Sequence, residues 1–260
     1  MNFKIIDIHT HPFIAPENNI CGYKSNLNMG VENTYELCKH FNVTKICGSV
    51  IQLGNPFENN WEKVKHNNNI ALELKEIYKD FYIPGFHVHP DYIQESIDEI
   101  KRMKKEGINL IGELVPYCDG WDNYSSEEFY VLLDETGKNN MIVSIHSQGE
   151  DEMDEMVKKH KDVIFIAAHP GEYTSFMRHI ERAKMSENYY IDLSGYGVFR
   201  HGMLRYAIDY IGVDRILFGS DFPTCSLSMY VGAVLLDNLI TDTEKEKIFS
   251  LNAKKLLNLK

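Results

Sequence analysis

Eight short apolar runs, each followed by a longer amphipathic stretch, recur along this 260-residue chain. They are Lys4–His9, Lys45–Val50, Tyr82–Val88, Ile108–Leu114, Met141–His146, Val163–Ala168, Tyr189–Leu193 and Arg215–Gly219. Each is nearly continuous in hydrophobicity, which is how parallel strands covered on both faces read. Seven segments around and between them, Gly30–His40, Ile70–Lys79, Pro90–Glu106, Ser125–Asn139, Glu150–His160, Glu172–Met185 and Gly202–Tyr210, carry apolar residues at three- and four-residue spacing. In one of these the stripe runs Ile93, Ile97, Ile100, Met103, with Glu and Lys on the other face. Thr241 and Glu244 offer a capping pattern for a helix through Phe249, and Asn252 opens another through Leu257. Strand–helix alternation of this kind predicts a (β/α)8 TIM barrel of the α/β class, with residues 1–260 as a single domain. An open doubly wound sheet is the alternative. It would place a Gly-rich phosphate loop after the first strand, where this chain has His-Thr-His-Pro.

Three connections are too long for simple turns. Gly54–Asn69 is expected to ride outside the barrel, while Ala15–Asn28 and Pro116–Tyr124 are candidate substrate-covering loops. The chain carries 27 basic and 38 acidic residues, a net charge of −11. That balance weighs against a nucleic-acid groove or an anionic membrane as partner, though not against a small anionic substrate. Five scattered cysteines without a CxxC pair point to reduced thiols. With no apolar run long enough to span a bilayer and no leader-like start, the expectation is a soluble cytoplasmic protein.

In a barrel the chemistry collects at the C-terminal strand ends. His9 and His11 close the first strand two residues apart, so a strand presents both imidazoles to one side. Glu113 closes the fourth, His146 the fifth, His169 follows the sixth and Asp221 the eighth. His9, His11, His146 and Asp221 would then hold a zinc-like ion through nitrogen and oxygen, leaving one position for water. The ion would lower the pKa of that water, and Asp221 would take up its proton and return it to the leaving group. His169 would hold oxyanion charge or orient the water. Glu113 is left open between ligand, bridge between two ions, and anchor of the barrel rim. Asp7 is open between orienting a histidine and bonding the barrel wall.

Weaker candidates surround this set. His87 and His89 are possible substrate contacts, and Cys225 is placed near the mouth, whereas His40, His66 and His160 are expected in solvent. Arg178, Arg200 and Arg205 are candidate anion hooks, with Arg200 the best placed. Tyr196, Phe199, Trp121 and Phe222 are candidate apolar walls for a substrate ring.

Taken together, Asp7-Ile-His-Thr-His11, His146, Ala168-His-Pro-Gly171, Ile191-Asp-Leu-Ser-Gly195, Phe218-Gly-Ser-Asp-Phe-Pro223 and the tail Ile248–Leu257 resemble the amidohydrolase superfamily. Within it, the chain is most similar to the amidohydrolase-related group that includes metal-dependent decarboxylases. The resemblance implies a distorted barrel, with His9, His11, His146 and Asp221 at the metal positions of mononuclear members and His169 at the assisting histidine. The lysine that bridges two metals in binuclear relatives has no counterpart. Glu113 stands in that region, as in TatD-like deoxyribonucleases, so Glu113 joins the candidate ligands. The leading expectation is a metal-dependent hydrolase cleaving an amide, ester or lactone of a small molecule. Alternatives are decarboxylation of an aromatic or unsaturated acid, a TatD-like binuclear phosphoesterase, and a non-catalytic metal-binding barrel. One zinc ion is the expected cofactor, with manganese or a second metal as the variant, and a homodimer is a family-level expectation.

Overall fold

The computed structural model describes residues 3–14, 30–52 and 57–259. The expected loop Ala15–Asn28 and Cys21 lie outside these residues. Eight parallel strands run in chain order: β1 Ile5–Asp7, β2 Val43–Gly48, β3 Tyr82–Phe86, β4 Leu110–Leu114, β5 Ile142–His146, β6 Ile164–Ala168, β7 Tyr189–Asp192 and β8 Ile216–Leu217. Each overlaps its predicted run, and the sequential order excludes the doubly wound alternative. The two edges of the curled sheet meet only beyond the strands proper. Ile8 N–H donates to Phe218 O at 2.9 Å, Asp221 N–H to His9 O at 2.9 Å, and His11 N–H to Phe222 O at 2.8 Å. This seam makes the sheet a distorted barrel.

Helices cover the outside: α1 Val31–His40, α2 Asn60–Tyr78, α3 Ile93–Lys105, α4 Pro116–Asp119, α5 Glu127–Lys138, α6 Glu150–Lys159, α7 Tyr173–Met185, α8 Met203–Ile211, α9 Leu227–Leu235, α10 Asp242–Glu246 and α11 Asn252–Leu256. Most of the apolar residues between strands and helices form one large core. A smaller cluster joins Ile6, Ile8, Cys47, Leu110, Ile142, Ile166 and Leu217 to Ala253 of α11. Ile83, Ile164 and Tyr190, from the first residues of their strands, pack on it with Leu256, Leu257 and Leu259. The last helix therefore closes the end of the barrel opposite the strand C-termini. Among the described residues no helix is long and apolar enough to cross a membrane.

Three departures from the predicted elements have physical causes. Helix α2 begins at Asn60, well inside the segment expected to be a loop. Its polar start is satisfied by tertiary partners: Asn59 caps Glu62 N–H at 2.9 Å, Lys63 donates to Cys118 O, and Asn68 bonds His87 O and Glu99. Helix α9 is apolar nearly all round, so no stripe marks it. The expected loop Pro116–Tyr124 opens with the single turn α4, whose Pro116 suits a helix start. At the chain's end the capping box of Thr241 and Glu244 is present, and a π-helical turn, Lys247–Leu251, joins α10 directly to α11.

Candidate metal centre at the strand ends

The first two candidate donors come from the extension of β1. His9 and His11 are 2% and 3% exposed, with their Nε2 atoms 3.2 Å apart. Each Nδ1 is already engaged: His9 with Asp192 Oδ2 at 2.9 Å and Ser194 Oγ at 2.9 Å, His11 with Ser49 O at 3.0 Å. A histidine whose Nδ1–H is given to a carboxylate or carbonyl turns its Nε2 lone pair the other way, as metal-holding histidines do.

Two carboxylates face those nitrogens. Glu113 Oε2 lies 3.3 Å from His9 Nε2 and 3.3 Å from His11 Nε2. Asp221 Oδ1 lies 3.4 Å from His11 Nε2 and 3.9 Å from His9 Nε2. Donors about 2.1 Å from a shared ion stand about 3.0 to 3.4 Å apart, for right-angle to tetrahedral arrangements. The separations among His9, His11 and Glu113, and between His11 and Asp221, match that spacing, the His9–Asp221 separation is wider, and the nitrogen and oxygen donors suit a divalent ion.

Local backbone irregularity aims these side chains. The pairing of β4 with β5 slips between Ile111 and Leu114, and Gly112 takes φ 88°, which turns Glu113 toward the barrel axis. A Cβ on Gly112 would stand 2.2 Å from Ser144 O, so glycine is required there. Asp221 and His169 adopt φ of 59° and 65°, conformations rare for residues with side chains and common at functional sites. Gly195 lies flat beneath His169: a Cβ there would fall 2.1 Å from the His169 Nδ1.

His169 and His146 engage the other side of Glu113. His169 Nε2 is 3.4 Å from Glu113 Oε1, and His146 Nδ1 is 2.9 Å from the same atom. The structure thus brings all six candidates together, in an arrangement different from the expected His9, His11, His146 and Asp221 set. Two overlapping donor groups share His9: one with His11 and Asp221, the other with Glu113 and His169. His146 reaches them through Glu113.

The direction of charge within the cluster follows from that packing. Burial disfavours charge on every member, and mutual pairing outweighs it. Glu113 and Asp192 hold the His9 pKa well above its ordinary value, and Asp221 and Glu113 push His11 up to about 9. Glu113 raises His169. In turn the histidines keep Glu113 well below the usual carboxylate range and lower Asp221.

Sequence reasoning missed Asp192 and Ser194 as site residues. Both lie on the parity of Tyr190, which packs into the barrel-filling cluster, so the period of two along β7 was the available signal. Ser194 bridges the Nδ1 atoms of His9 and His169, at 2.9 and 3.0 Å. Asp7 bonds the barrel wall: it accepts from Ser220 N–H at 3.0 Å and Ser220 Oγ–H at 2.5 Å, and burial pushes its pKa up to about 7. Cys225 stands at the mouth, its Sγ 3.6 Å from Asp221 Oδ2.

Other expectations are corrected. His87 and His89 are buried scaffold: His87 bridges Asp119 and Val50 O, and His89 bonds Asp119 O. His160 is buried at 5% exposure against Tyr130, beside Asp134, and does not lie in solvent. Arg178 pairs with Asp151 and Asp154, and Arg205 with Asp209 and Glu244, so both serve helix–helix contacts outside the barrel. Arg200 is held by Gly171 O and Glu172. Trp121 and Phe222 belong to the core, whereas Tyr196 and Phe199 are exposed and packed on each other.

The amidohydrolase family model matches residues 6–259. The chain belongs to the amidohydrolase family. No curated protein sequence matches it. Solved structures of this fold cover almost its whole length. A 2,6-dihydroxybenzoate decarboxylase from Rhizobium superposes with a TM-score of 0.77 at 16% identity, over 98% of this chain and 99% of the other. A dihydroxybenzoic acid decarboxylase from a Polaromonas species, with bound manganese and the inhibitor 2-nitroresorcinol, gives 0.73 at 14%, over 98% and 97%. A 5-carboxyvanillate decarboxylase from Novosphingobium aromaticivorans with bound manganese gives 0.75 at 14%, over 99% and 98%. The expectation of hydrolysis is thereby corrected: the activities these structures are named for are decarboxylations of small aromatic acids, not cleavage of amides, esters or lactones. As an amidohydrolase-family enzyme, this chain keeps a donor cluster fit for a metal at the strand ends.

Proposed function

We propose that this amidohydrolase-family protein is a metal-dependent decarboxylase of a small aromatic acid. The observation that carries the reading is the pair of overlapping donor groups at the strand ends, His9 with His11 and Asp221 and His9 with Glu113 and His169, in the fold that dihydroxybenzoate and carboxyvanillate decarboxylases share. A divalent ion held there supplies positive charge that fixes the oxygens of an acid substrate. Manganese is carried by two of the similar structures, and zinc is equally served by these nitrogen and oxygen donors.

Loss of carbon dioxide leaves an electron pair on carbon, which takes up one proton. We assign the passing of that proton to Asp221. Its side chain is 11% exposed, against 3% for Glu113, so it is the cluster carboxylate that faces the mouth. Glu113, surrounded by imidazoles, instead fixes their orientation and charge. His169, tied to Ser194 and Glu113, borders the same space.

Manganese- and zinc-loaded protein should release carbon dioxide from at least one member of a panel of hydroxybenzoates and carboxyvanillate. Asp221→Asn should lower kcat by at least about a hundredfold, the low end of general acid–base contributions, with folding preserved. Inactivity of the loaded wild type on the whole panel, or full activity of the variant, would sink the reading or the role of Asp221 respectively.

A further inference from the structure

The segment after β4 brings one more side chain to the cluster. Tyr117, in the single turn α4 just past Glu113, meets the His146 imidazole edge to face, with centroids 5.5 Å apart and planes 79° apart. Most of its ring is uncovered, at 67% exposure. Tyr35, Tyr173, Tyr196, Phe199 and Tyr210 are also exposed, but Tyr117 is the exposed aromatic, among the described residues, whose ring contacts a member of the cluster. Tyr117 therefore offers a flat apolar face beside His146.

We infer that Tyr117 is a specificity-determining residue, forming the wall against which the ring of an aromatic acid packs beside His146. The inference rests on the decarboxylase reading. An acid whose polar end faces the donor cluster extends its ring away from it, toward the mouth. Aromatic pairs attract at centroid separations of about 4.5 to 7 Å in offset or edge-on arrangements. A ring placed beside His146 comes within that range of Tyr117, and an aliphatic acid gains nothing comparable.

The test uses manganese-loaded protein and two probes, 2-nitroresorcinol as the aromatic ligand and oxalate as the non-aromatic one. Tyr117→Ala should weaken 2-nitroresorcinol by about three- to tenfold while Tyr117→Phe retains most of the affinity. Oxalate affinity and manganese content should stay unchanged in both variants. On a substrate found in the panel, the alanine variant should raise KM more than it lowers kcat. Unchanged 2-nitroresorcinol binding by Tyr117→Ala overturns the assignment alone. Equal weakening of oxalate also overturns it, because the ring would then only prop His146. A wild type that neither binds 2-nitroresorcinol nor turns over any panel acid removes the decarboxylase reading, and this inference with it.

Discussion

At the scale of single residues, the centre is a set of charges that stabilise one another in a place hostile to each alone. Asp192 shows how far the support reaches. Fully buried, it holds His9 Nδ1 at 2.9 Å and accepts from Ser194 N–H at 2.9 Å, fixing which nitrogen of His9 faces the cluster. Replacement of such a partner costs metal affinity about 10- to 100-fold. Asp192→Asn should show that loss in competition titrations against a chelator, and wild-type affinity would remove Asp192 from the centre. That His9, His11 and Asp221 would come together was legible in the sequence, because strand ends converge in a barrel and these residues needed only their positions in the alternation. Partner choice was not legible. That His146 bonds Glu113, and that Glu113 meets four imidazoles, depends on the slip in β4 and on Gly112, which no periodicity displays.

At the scale of elements, helices were readable where one face is apolar and the other charged, as in α3. They were missed where burial is achieved by polar partners, as at the start of α2, or where no polar face exists, as in α9. Local end signals were reliable. Ser126 accepts from Phe129 N–H at 3.1 Å to cap α5, and Ser126→Ala should cost about 1 kcal/mol in urea unfolding. Helix α7 carries a more sensitive group. His179 is buried between Tyr189 OH at 2.7 Å and Ser147 Oγ at 3.2 Å, tying α7 to β7 and to the end of β5. Burial, then the Arg182 charge, lowers its pKa to about 3. The unfolded chain binds this proton below about 6.5 and the folded chain does not, so the stability at issue is fully present above pH 6.5 and falls as pH drops toward 3. At pH 5 the loss from this one group is about 2 kcal/mol relative to pH 8. His179→Gln should be less stable than wild type at pH 8, with the gap narrowed by about that amount at pH 5. Parallel curves would refute the burial of a neutral His179.

At the scale of the whole molecule, a bound ion couples to global stability, since its donors exist as a group only in the folded chain. Manganese at about a hundred times its Kd should add about 2.7 kcal/mol and raise Tm by about 5 to 10 °C, reversed by chelator. Plasma mass spectrometry should count one ion per chain. Two per chain would favour a binuclear phosphoester reaction instead. The seam between β1 and β8 has a consequence in time. Asp7 and Ser220, whose bond helps close the barrel, are 213 residues apart. At about 5 to 20 residues per second, a ribosome needs roughly 10 to 40 s to supply the second after the first. During that interval His9 and His11 have emerged but Asp221 has not, so an incomplete chain cannot assemble the centre. Birth of the binding site waits for the last strand, which makes metal uptake a marker of barrel closure.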